Sequence, residues 1–107
     1  AARQVALLRE TVCNYAPLQD ELERMVGAYV DGDLAGLMAT SQRYASADQD
    51  ALLDELLWKR NERMAERLPA LFAGGGTFVA VGALHLPGPR GLLALLARRG
   101  YTVEAVY

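Results

Sequence analysis

Three consecutive glycines, Gly74-Gly75-Gly76, constrain this chain more than any other feature. Glycine loses more conformational freedom on folding than any other residue, so a run of it ends whatever regular element precedes it. The residues on its two sides repeat differently. Before the run, apolar residues recur every three or four positions, the period of an amphipathic helix. After it come two short apolar runs with β-branched residues, separated by a loop rich in Gly and Pro and by a helical stretch. The expectation is an α-rich α/β chain. A helical region of about four helices spans 1–73, and a strand-loop-helix-strand unit spans 74–107.

In the first part, Val5, Leu8, Val12 and Tyr15 form one helical stripe that Pro17 interrupts. Leu18, Leu22, Met25, Val26, Tyr29 and Val30 form a second, closed by Gly32 in the position after a helix end. Asp33 is placed to cap the next helix, whose face is Leu34, Leu37, Met38 and Ser41. Ser46 and Gln49 have the spacing of a capping box. The longest helical pattern then runs from Asp50 to about Phe72. On a 100° projection, Leu53, Leu56, Leu57, Met64, Leu68 and Leu71 share its apolar face. Arg60 falls inside that face and Asn61 on its edge, so Arg60 is expected to be buried against loop carbonyls or an acidic side chain.

In the second part, Thr77–Val81 reads as a buried strand, 82–88 as a loop, Pro89–Arg99 as a helix closed by Gly100, and Tyr101–Tyr107 as a second strand. Strand, helix and strand in this order make a right-handed βαβ unit with two parallel strands. Parallel strands normally lie in a sheet covered on both faces. The pair is therefore expected to belong to a larger sheet, completed by a missing segment or a partner chain, and the 107 residues to form one incomplete domain.

Composition removes several function classes. Eleven basic residues against thirteen acidic ones give a net charge of −2, without the basic surplus of a nucleic-acid binder. No apolar run approaches the ~18 residues of a membrane span, and Ala1-Ala2-Arg3-Gln4 is not a secretory signal. Cys13 is the only cysteine and His85 the only histidine. Cys13 reads as small core packing, and an internal disulfide is excluded. The single histidine lies three residues past Gly82, beyond the end of the first expected strand, where α/β sheets place ligands. Gly82 lets a backbone or ligand approach, and Pro87-Gly88 holds a turn. The loop is thus a rigid support for one imidazole, able to serve as metal ligand, general base or cap.

Arg60-Asn61-Glu62-Arg63-Met64-Ala65, Phe78 to Gly88 with its Gly-x-x-His-Leu-x-Gly loop, Gly91-Leu92-Leu93, Leu95-Leu96 and Gly100-Tyr101-Thr102-Val103 together resemble the C-terminal half of the TraB/PrgY/GumN family. That family includes the animal Tiki proteins. The resemblance implies a metal-dependent protease or hydrolase with two Gly-x-x-His motifs, one in each half, and glutamates from the first half. It makes His85 the second-motif histidine, a metal ligand and catalytic residue, and Arg60 a second catalytic residue. Asn61, Gly82 and Gly88 would support them. A divalent metal (Mn, Co or Zn) is expected in the complete protein and none in this chain alone, because one histidine cannot supply a catalytic ligand set. The expected partners are an absent N-terminal half or a second copy of the chain, with a peptide or protein as substrate. An extracytoplasmic location is implied by the family alone. The competing expectation is a non-catalytic interaction or oligomerisation domain.

Overall fold

In the computed structural model, which describes residues 1–43 and 46–106, the first helix stops at Asn14 and not at Pro17. Helix α1 spans Ala2–Cys13 and α2 spans Tyr15–Val30. Pro17 lies in the first turn of α2, where a missing N–H and a fixed φ are compatible with a helix. Cys13 is exposed, so its expected role in a core is corrected. As expected, Gly32 closes α2: its N–H donates to the Tyr29 carbonyl and that of Asp33 to the Ala28 carbonyl, a Schellman pair. Helix α3, Leu34–Ser41, starts where the Asp33 carboxylate accepts the Gly36 N–H at 2.9 Å. Helix α4, Ala47–Leu53, starts with the Gln49 N–H donating to Ser46 Oγ at 3.2 Å. Both caps agree with the sequence reading.

The chain divides into two compact units, Ala1–Leu53 and Asp54–Tyr107. The division falls inside the long helical pattern and not at the glycine run. In the first unit α2 packs on α3, and α1 meets α2 and α4. Leu37 and Met38 are buried there, as is Glu21, whose carboxylate accepts from Arg24 at 3.0 Å and Arg43 at 3.3 Å.

The second unit begins with a π-helical turn, Asp54–Trp58, followed by α5, Lys59–Phe72. Gly75 and Gly76 then take φ of +69° and +65°, a region open to glycine at little cost. Thr77 Oγ1 donates back to the Leu71 carbonyl at 3.0 Å. After an extended stretch, a 3₁₀ turn over Ala83–His85 leads to α6, Leu92–Arg98. Helix α6 starts later than the sequence suggests. Pro89 occupies the second position of a β-turn closed by the Gly91 N–H on the Gly88 carbonyl at 3.0 Å, a place its fixed φ suits. The core joins Ala65 and Leu68 of α5 to Leu92 and Leu95 of α6, with Met64, Phe72, Val81 and Leu96 against it. Tyr101 meets Phe72 edge-on, centroids 5.3 Å apart.

The expected βαβ unit does not form. Among the described residues there is no strand and hence no sheet: 77–81 and 101–106 share no ladder. Tyr107, the last residue of the expected second strand, lies outside the described residues. A strand exists only through the ladder it shares with a neighbour, and neither segment has one. Phe78 and Val106 are both more than nine-tenths exposed. The α/β class with a larger sheet is therefore corrected to an all-helical architecture with extended connections.

Candidate functional site

The buried side of α5 is centred on Asn61, not on the leucine-rich stripe that the projection favours. Leu57, Asn61, Ala65 and Leu68 are buried at intervals of four, four and three, a continuous helical stripe. Leu56 and Leu71 are 49% and 59% exposed. That rotation carries Arg60 about 100° away from the buried stripe. Arg60 is accordingly exposed, and its expected burial is corrected. The inward polar residue is its neighbour.

Asn61 is fully buried and uses its whole amide. Nδ2 donates to the His85 carbonyl at 3.1 Å and to the Arg90 carbonyl at 2.9 Å. Oδ1 lies 2.6 Å from His85 Nδ1. One side chain thus holds both the imidazole and two points of the loop that carries it. Three further contacts set the loop. The His85 N–H donates to the Gly82 carbonyl at 2.9 Å, and the Leu86 N–H to that of Ala83 at 3.1 Å. Arg98 reaches the Pro89 carbonyl at 2.7 Å.

Gly91 has a steric reason to be glycine. A Cβ there would collide with the Leu86 and Pro87 carbonyl oxygens. Gly88 has a conformational one, with φ +83°. Gly82 has neither. Its φ is −61°, and a Cβ would meet His85 Cδ2 at an ordinary 3.7 Å.

The Arg90 guanidinium braces the loop from outside. It donates to Asp54 at 2.7 Å and to Glu62 at 2.8 Å, and lies 5.8 Å from the Trp58 ring centroid. This contact gives Trp58 a packing partner. Arg90 holds the Asp54 carboxyl below the usual carboxylate range by hydrogen bonding. Asp54, Glu62 and Arg90 were not singled out by the sequence.

His85 is 8% exposed. Burial first, and the nearby Arg60 charge second, push its pKa below the usual histidine range, because both disfavour the imidazolium. The neutral ring is therefore the form at neutral pH. Its Nε2 makes no hydrogen bond to the described residues. The site unites Asn61, His85 and the Gly82–Gly91 loop, with Arg60 beside it through its charge. Among the described residues no three His, Cys, Asp or Glu side chains cluster as metal ligands, so His85 fits one ligand position and not a set.

A sequence profile of the TraB/PrgY/gumN family matches residues 1–105. The chain belongs to that family. Human Metalloprotease TIKI1 is 42% identical over 67 residues, which cover 59% of this chain and 13% of the relative. Zebrafish Metalloprotease TIKI2 is 45% identical over 56 residues, covering 50% and 11%. The TraB/PrgY/gumN chain thus spans a small part of these metalloproteases' length. No solved structure gives a significant match. No helix among the described residues is long and apolar enough to cross a membrane.

Proposed function

We propose that this chain contributes one part of the site of a metal-dependent hydrolase that cleaves peptide bonds. The observation that carries the reading is His85, buried against Asn61, which engages Nδ1 and leaves Nε2 without a partner among the described residues. A neutral imidazole whose second ring nitrogen keeps its lone pair is a suitable ligand for Mn, Co or Zn. Three protein ligands with an open position are usual for catalytic zinc, so the remaining ligands would come from residues other than those described. A divalent metal, when bound, supplies Lewis acidity and a water acidified toward neutral pH. His85 holds its position through the Asn61 clamp. Arg60, exposed on the same turn of α5, is available to a substrate oxyanion or to an incoming carboxylate. The two Tiki relatives, named metalloproteases, support the same chemistry.

The test uses a protein in which this chain is joined to a half carrying the other Gly-x-x-His motif. It is stripped with EDTA, reloaded with Mn²⁺, Co²⁺ or Zn²⁺, and assayed on a set of fluorogenic peptides. Metal-dependent cleavage that falls at least a hundredfold in His85→Ala, and less steeply in Arg60→Ala, is the expected result. Cleavage unchanged in His85→Ala would overturn the reading.

A further inference from the structure

The three hydrogen bonds of Asn61 fix more than the position of the loop. Carbonyl oxygens only accept, so the amide atom facing the His85 and Arg90 carbonyls must be the NH₂ group. Both amide hydrogens are then committed, and the atom 2.6 Å from His85 Nδ1 must be the amide oxygen. An amide oxygen cannot donate. The hydrogen in that bond therefore belongs to Nδ1. A neutral imidazole carries one N–H, so Nε2 is left with its lone pair. Two backbone carbonyls thereby settle a protonation pattern one side chain away.

We infer that Asn61 is a positioning residue that locks His85 in its Nδ1–H tautomer and leaves the Nε2 lone pair as the ring's available ligand atom for a divalent cation. Free histidine in water favours the other tautomer, with its hydrogen on Nε2. That form would put an N–H where a cation needs a lone pair and set two lone pairs, on Nδ1 and the amide oxygen, against each other. Metal-binding histidines are commonly held by a hydrogen bond from their second nitrogen, which fixes ring orientation and tautomer. In this chain the acceptor for that bond is an amide whose other end is anchored to the histidine's own loop. The lock therefore sets the tautomer and the ring's direction together. The part that concerns a cation rests on the proposed function; the tautomer itself does not.

The test is nitrogen NMR of the imidazole in the full 107-residue chain. His85 is the only histidine, so the ring signals need no assignment. Uniformly ¹⁵N-labelled protein is measured metal-free, at a pH well above the usual histidine range. The expected result is a protonated Nδ1 and an unprotonated Nε2, with Nδ1–H the major form, the reverse of the free-histidine preference. Asn61→Ala, provided its amide spectrum remains dispersed, should move the ratio toward that of free histidine. A wild-type ring that is mainly Nε2–H overturns the inference. So does a folded Asn61→Ala protein that keeps the wild-type ratio. Should Asn61→Ala fail to fold, the wild-type spectrum alone decides. The functional reading fails separately: a wild-type Nδ1–H ring in a protein whose metal-dependent hydrolysis ignores His85→Ala would keep the lock and remove the metal.

Discussion

Replacing Asn61 with alanine should be among the costliest single changes in the second unit. Asn61→Ala deletes three hydrogen bonds, to His85 Nδ1, to the His85 carbonyl and to the Arg90 carbonyl. At about 1 kcal/mol net for each, the loss is about 3 kcal/mol. The two carbonyls accept no other hydrogen bond among the described residues. Left dry, each would add about 1–3 kcal/mol. The vacated space is lined by polar groups, so a water entering it should keep the total near the lower figure. Arg60→Ala, one residue earlier and exposed, should change stability by no more than about 0.5 kcal/mol. Trp58 is the only tryptophan and lies in this unit, so its fluorescence in urea reports the relevant transition. With an m-value of about 1–1.5 kcal/mol/M for so small a unit, the Asn61→Ala midpoint should fall by about 2–3 M. Equal midpoints for Asn61→Ala and Arg60→Ala would refute the reasoning and return the clamp to a minor role.

Acid should weaken the same unit through His85. Its folded pKa is depressed by burial and by Arg60, so between that value and about 6.5 the unfolded chain binds a proton that the folded one does not. Stability then falls as pH drops below about 6.5. The Trp58 urea midpoint should be lower at about pH 5.5 than at about pH 7.5, and the difference should shrink in His85→Gln; a midpoint that rises on acidification contradicts the assignment. Gly91→Ala forces the backbone away from the Leu86 and Pro87 carbonyls and should cost about 1–3 kcal/mol, as overpacking does, whereas Gly82→Ala should stay within about 0.5 kcal/mol. Thermal melts of the two variants distinguish them, and equal melting temperatures would remove the steric account of the loop. Arg90→Ala should shift the Trp58 emission while leaving stability little changed, because its ion pairs are half-exposed; an unaltered spectrum would mean the guanidinium does not rest on the indole.

Local signals in the sequence proved readable where they depend on a few neighbouring residues. Asp33 and Ser46 cap the helices that follow them, Gly32 closes α2, and the break at Gly74–Gly76 uses positive φ at two of its residues. His85 lies in the Gly82–Gly88 loop with its ring buried against Asn61. What failed depends on distant partners. Thr77–Val81 has the composition of a buried strand, but composition cannot supply the neighbouring backbone that a ladder requires. The face of α5 was misjudged for a related reason. Counting leucines favoured the side with Leu56 and Leu71, whereas packing against α6 and the His85 loop selects the side centred on Asn61. A fully buried asparagine becomes intelligible only once the carbonyls it satisfies are in place. Arg60 moved from core to surface by the same rotation.

The central claim is that His85, held by Asn61, is a metal ligand of a TraB-type hydrolase. Calorimetric titration of Mn²⁺, Co²⁺ and Zn²⁺ into a protein carrying both Gly-x-x-His halves tests it most directly. His85→Ala should weaken binding of the preferred metal by well over tenfold, and Asn61→Ala by about 10–100-fold, the usual effect of removing the residue that orients a ligand. Isotherms for His85→Ala that superimpose on those of the wild type would contradict the account.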